Sequence, residues 1–271
     1  MSDLKSRLIP GLIFVLATIV CMLLGGYYIF AYVLIALTLS LFEMKSIICK
    51  LGGKPSLLPF FIAGYFAIST FALNKFTDFN TNFYYYQFII LILMSVELFR
   101  KPHKPTLNVL SYCIALVYLG MGFTSMLNIS SVHNGTFDGS TLLCMIIINW
   151  MNDTGAWLWG RSFGKHKLIE HVSPNKTIEG SVGGAITAIL TSVVIFFTTD
   201  MYDLFLWLII AITIVIFGTL GDLFESLLKR KANIKDSGKL LGGHGGIIDR
   251  FDSLLFAIPA VYFILNIVNQ L

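Results

Sequence analysis

The chain has 271 residues, of which 56% are hydrophobic and only 13% charged, with a mean hydropathy of +0.80. Soluble domains carry about 25% charged residues, so this composition excludes an ordinary water-soluble globule and points to an integral membrane protein. The net charge of +4, read through its distribution along the chain, suits an anionic leaflet surface and anionic substrates and makes no case for nucleic-acid binding.

Crossing a bilayer takes about 20 mainly apolar residues, with about 17 as a lower limit. In chain order, the segments near that length are Leu8–Leu24, Gly26–Phe42, Leu57–Leu73, Phe83–Phe99 and Thr106–Met126 in the first half. Thr141–Trp159, Gly180–Thr198, Leu204–Leu223 and Phe251–Val268 follow in the second. The expectation is an all-α polytopic membrane protein of nine transmembrane helices, forming one domain over 1–271. The first segment is read as a retained helix rather than a cleaved leader, because no convincing small-residue cleavage site follows it.

Basic residues test the count, since Lys and Arg collect in cytoplasmic loops. With nine spans, Lys5 and Arg7, Lys45 to Lys54, Arg100 to Lys104, Arg161 to Lys176, and Lys229 to Arg250 all fall on one side. That side holds 18 of the 19 basic residues, and Lys75 alone falls on the other. The N-terminus is therefore expected inside and the C-terminus outside.

Residues 1–140 read as helical scaffold: Glu43 and Glu97 sit at span ends within reach of water, and Tyr84, Tyr85 and Tyr86 suit an interfacial aromatic belt. The four cysteines make no metal or redox spacing. Residues 141–271 read as the catalytic half, because Asp153, Glu179, Asp222 and Glu225 lie at span ends on the basic side, and ionisable groups there usually face a cavity or a partner.

The densest segment runs from Asp222 to Asp252. Asp222, Glu225 or Ser226, and Lys229 recur at helical spacing and share one face if the eighth span continues past the membrane surface. Gly242-Gly243-His244-Gly245-Gly246 is a glycine-rich turn whose backbone N–H groups can approach an anion. Asp249, Arg250 and Asp252 add carboxylates suited to Mg2+ and a guanidinium suited to phosphate. Together these groups favour a metal–phosphate site.

The run Ser226-x-Leu228-Lys229-Arg230, Lys235-Asp236-x-Gly238, Leu241-Gly242-x-His244-Gly245-Gly246-Ile247-x-Asp249-Arg250-Phe251-Asp252 resembles the signature of the phosphatidate cytidylyltransferases. It departs at Gly242, where many members have proline. A second block, Asn152-Asp153-Thr154-Gly155-Ala156-Trp157 through Ser173-Pro174-Asn175-Lys176-Thr177-Ile178-Glu179-Gly180, is similar to the family's middle motifs, with Trp157 where tyrosine is commoner.

The resemblance implies that CTP and phosphatidic acid give CDP-diacylglycerol and pyrophosphate, with Mg2+ and a site at the cytoplasmic face of a bacterial plasma membrane. A second, monovalent cation is left open. By match to the motif, Asp222 and Asp249 are candidate Mg2+ ligands. Ser226, Lys229, Lys235 and the turn at Gly245 and Gly246 are candidates for the CTP phosphates. Lys176, Arg230 and Arg250 serve either substrate, and His244 orients an aspartate or a phosphate. Asp153, Asp236 and Asp252 complete the set of candidate site residues. Two other readings stay open: a CTP-dependent polyprenol kinase and a membrane transporter. A homodimer packed through Gly180 and Gly184 is also open.

Overall fold

The computed structural model describes residues 2–77, 83–100, 104–130, 137–240 and 242–268. Its helices in chain order are α1 (Ser2–Leu24), α2 (Gly26–Lys50), α3 (Leu57–Phe76), α4 (Phe83–Phe99), α5 (Pro105–Ile129), α6 (Ser140–Phe163), α7 (Ile178–Thr198), α8 (Leu204–Lys231) and α9 (Ile248–Val268). Each of the nine expected segments lies within one of them. A two-stranded antiparallel hairpin, β1 (Lys167–Ile169) and β2 (Ser173–Thr177), joins α6 to α7. It was not expected from the sequence.

Six helices among the described residues are long and apolar enough to cross a membrane: α2, α3, α5, α7, α8 and α9. Two more, Ile9–Leu24 and Tyr84–Glu97, are shorter apolar stretches. The sixth expected span, α6, is 24 residues long, but Asn149, Asn152, Asp153 and Arg161 interrupt its apolar surface. The protein is thus all-α and polytopic, with six helices that meet the length and hydropathy of a span.

Local chemistry sets the helix boundaries. Asp203 caps α8 by accepting from the Leu206 N–H at 2.8 Å, and Thr177 caps α7 by accepting from the Gly180 N–H at 3.1 Å. Pro105 occupies the first turn of α5, where its missing N–H costs nothing. Ile114–Met121, in the middle of α5, is π-helical.

The α6–α7 contact is the most extensive between helices. It depends on small residues: a Cβ at Gly184 would lie 2.7 Å from the Asn152 carbonyl oxygen and 3.0 Å from the Ala156 Cβ. The Gly180–Gly184 face is therefore filled by α6 of the same chain.

Phe251 is fully buried at the start of α9 and meets rings from three helices of the first half. Its centroid distances are 5.6 Å to Phe14, 6.1 Å to Tyr32 and 5.1 Å to Phe123. Such aromatic clusters add specific geometry to their hydrophobic burial. This one pins the end of the signature segment against α1, α2 and α5.

Replacing Gly184 by Leu should overpack the α6–α7 contact and cost about 1–3 kcal/mol, read as a lowered melting temperature of the detergent-solubilised protein. An unchanged melting temperature would show that this face does not carry the contact.

Candidate active site

Helices α6, α7, α8 and α9 and the strand β2 enclose a cavity of about 490 Å³. Asp153 and Asn152 enter it from α6, Lys176 from β2, Asp222 from α8 and Ser253 from α9. Lys176 and Asp222 form an ion pair, each side chain partly exposed. Asp222 also accepts from the Ser226 hydroxyl one turn on, at 3.3 Å. Asp153 accepts from Asn149 at 3.3 Å, while the Oδ1 of Asn149 is buried with no hydrogen-bond partner. Arg161 lies over the Trp157 ring at 5.4 Å, and both line the mouth of the cavity. A cation, Lys176, and two carboxylates, Asp153 and Asp222, thus converge in one space.

The signature loop is built around a second carboxylate cluster. Asp249 Oδ1 accepts from Lys229 Nζ at 2.6 Å. Asp249 Oδ2 accepts from the Ser237 N–H and hydroxyl, each at 2.9 Å, and from the Gly246 N–H at 2.7 Å. Lys229 pairs in addition with Glu225, whose side chain is fully buried and whose Oε1 has no hydrogen-bond partner. Gly245 adopts φ +80°, a conformation open to glycine and strained for residues with a Cβ. It turns the chain so that the Gly246 N–H points back at Asp249.

The two clusters share one face of α8. Asp222 and Ser226, and Glu225 and Lys229, are pairs four residues apart, and both pairs are in contact. This is the spacing that stacks side chains on a helix.

Of the other predicted positions, three fall outside the clusters, whereas Asp252 lies within electrostatic reach of Asp222, Asp153 and Lys229, and Arg250 of Asp153. Arg230, Lys235 and Asp236 are exposed. Arg250 is half-buried in the first turn of α9. Asp252 accepts from the Ser253 N–H at 2.7 Å, and its backbone carbonyl packs on Gly221. The side chain of His244 lies outside the described residues. Glu179 accepts from the Lys165 and His166 N–H groups at 3.0 and 3.2 Å, closing the turn after α6.

Two acids expected at solvated span ends are engaged instead. Glu97 is 4% exposed and bonded by Arg100, Asn108 and Tyr112. Glu43, near the end of α2, accepts from the Ser237 hydroxyl at 2.8 Å and from the Ile247 and Ile248 N–H groups at 2.9 and 3.0 Å. Lone acids beside Lys45, Lys50 and Lys54 look solvated in sequence. The only signal available was a carboxylate on an otherwise apolar helix, on the side that also carries the signature.

Among the described residues, no group of three or more His, Cys, Asp or Glu side chains forms a ready-made metal cage. Mg2+ commonly uses one or two carboxylates together with water and substrate phosphates. The carboxylates of Asp222 and Asp153 face the cavity and suit that donor set. Those of Asp249 already receive four donors.

The fold and site define a membrane protein with a charged pocket walled by α6 to α9. The Cytidylyltransferase family matches residues 5–268. The chain is 32% identical over 269 residues to the phosphatidate cytidylyltransferase of Bacillus subtilis (strain 168), covering 98% of both chains. It is also 41% identical over 177 residues to that of Staphylococcus haemolyticus (strain JCSC1435), a match spanning 64% of this chain and 65% of that one. The phosphatidate cytidylyltransferase of Staphylococcus saprophyticus subsp. saprophyticus is 39% identical, over 65% of its length. The chain belongs to the cytidylyltransferase family.

Asp249→Asn removes a charged acceptor from four donors, each such bond being worth about 1.5–3 kcal/mol. Trypsin cleavage at the exposed Lys235 and Lys239 should accelerate about tenfold or more, because local opening becomes easier. An unchanged cleavage rate would show that the loop is held by other contacts.

Proposed function

We propose that this chain transfers a cytidylyl group from CTP to phosphatidic acid, releasing pyrophosphate and forming CDP-diacylglycerol for phospholipid synthesis. The observation that carries this reading is the likeness to the Bacillus subtilis phosphatidate cytidylyltransferase over 98% of both chains. A pocket with Lys176 and Arg161 beside the carboxylates of Asp153 and Asp222 suits phosphate-bearing substrates.

In the proposed step, a phosphate oxygen of phosphatidic acid attacks the α-phosphorus of CTP. A new P–O bond forms, the bond from the α-phosphorus to the bridging oxygen breaks, and pyrophosphate departs with that electron pair. A phosphate monoester is already largely ionised near neutral pH, so no protein base is needed. Positioning and charge neutralisation supply the catalysis. Lys176 lines the cavity and is the candidate for phosphate contact there, released from Asp222 as charge arrives. Lys229, held between Glu225 and Asp249, serves the CTP phosphates, with Ser226 beside it. Asp222 is the first candidate to hold Mg2+, with Asp153; Asp249 joins them only if Lys229 gives up its ion pair. When bound, the ion neutralises phosphate charge.

The same proposal places nine spans in a bacterial plasma membrane, N-terminus inside and C-terminus outside, with the site at the cytoplasmic face. The support is the one-sided basic charge and the neighbourhood of α1 to the Gly242–His244 turn. A homodimer would use a face other than Gly180–Gly184, which α6 covers.

Purified protein in liposomes should release pyrophosphate only when CTP, phosphatidic acid and Mg2+ are all present. Absence of release from folded protein would refute the reading. Asp222→Asn should lower kcat about a hundredfold or more, the scale of losing one transition-state electrostatic contact. Turnover within a few-fold of wild type at saturating Mg2+ would remove Asp222 from the metal shell. For topology, a variant retaining only the exposed Cys49 should react with an impermeant maleimide in inside-out vesicles and not in right-side-out ones. The opposite pattern would invert the orientation.

A further inference from the structure

We infer that Glu43, from the half of the chain that reads as scaffold, is a positioning residue for the nucleotide site: it sets the conformation of the 237–248 loop and, through it, of Lys229. The inference rests on the function proposed above.

Glu43 Oε2 receives the Ser237 hydroxyl at 2.8 Å and the Ile248 N–H at 3.0 Å, and Oε1 receives the Ile247 N–H at 2.9 Å. The Ile247 and Ile248 amides open α9 and have no carbonyl four residues back to bond within a helix. A carboxylate at this point also meets the positive end of the helix. Ser237 is the shared element: its hydroxyl lies 2.8 Å from Glu43 and 2.9 Å from Asp249, its single proton is shared between the two carboxylates, and Asp249 in turn holds Lys229. Glu43 is thus three contacts from the ammonium placed at the phosphates, with Ser237 and Asp249 between them.

The loop is shaped to admit this side chain. A Cβ at Gly238 or at Gly246 would overlap the carboxylate of Glu43. Both glycines belong to the signature segment, and their missing side chains are the room that Glu43 fills. On its own helix Glu43 is held firmly, because Leu41, Met44, Ile47 and Ile48 around it are fully buried. A rigid support carrying a charged acceptor fixes a loop more narrowly than solvent does.

The test compares Glu43→Gln with Glu97→Gln in the reconstituted enzyme. Glu97 is a buried, triply bonded carboxylate of the same half, touching neither loop nor cavity. Glu43→Gln should raise the KM for CTP about tenfold or more, the scale of losing a charged hydrogen-bond acceptor, with the KM for phosphatidic acid within about twofold of wild type. Glu97→Gln should lower the melting temperature and leave the KM for CTP unchanged. Ser237→Ala should move the KM for CTP in the same direction. Combined with Glu43→Gln, it should add less than its separate effect, as expected of residues in one network.

A KM for CTP within twofold of wild type in Glu43→Gln overturns the inference, as does an equal rise in Glu97→Gln. If Glu43→Gln does not fold, an unchanged KM in Ser237→Ala overturns it. Wild-type protein without turnover would instead refute the proposed function, a distinct outcome.

Discussion

The carboxylate of Asp249 is the point on which the site depends. It ties the last turns of α8, through Lys229, to the loop at Ser237 and Gly246, and to its own helix α9. A loop rich in glycine has a large conformational entropy to lose, and four donors converging on one carboxylate offset it. Without that convergence the loop would lose its tie to Lys229, even though α8 and α9 also pack directly at Gly221 and through the Phe224 and Phe256 rings. Phe251, two residues on, continues the same arrangement with apolar contacts to α1, α2 and α5.

Low-dielectric surroundings explain the form of the polar groups. Charges near or within a bilayer are costly unless paired, and the charged groups of the site are largely paired: Lys176 with Asp222, Lys229 with Glu225 and Asp249. In the proposed reaction, such pairs would be exchanged for substrate phosphates and a metal ion without stranding a charge. The helix that brings Asp153 and Asn152 into the pocket gives up its apolar surface in doing so, which is why α6 is not among the six apolar spans.

Much of the fold was legible in the sequence, because apolar runs report helices in a membrane directly. The ends were less so: α2 continues to Lys50 and α8 to Lys231, well past the apolar runs ending at Phe42 and Leu223, since a helix does not stop where the hydrocarbon stops. The shared face of Asp222, Ser226 and Lys229 was readable from spacing. The role of the glycine turn was not. Its Gly246 amide is committed to Asp249, and the Ile247 and Ile248 amides after it to Glu43, the latter a relation across 204 and 205 positions that no local pattern encodes. The β1–β2 hairpin escaped for another reason. Strands of three and five residues carry too few positions for a periodicity to show.

Nucleotidyl transfer at the pocket walled by α6 to α9 leaves a signature in the fate of each CTP phosphorus. Purified enzyme in phosphatidic acid liposomes would be given CTP labelled at the α- or the γ-phosphorus. Nucleotidyl transfer puts the α-label in the lipid fraction and the γ-label in pyrophosphate. Label from the γ-position in the lipid would instead show phosphoryl transfer, and would contradict it.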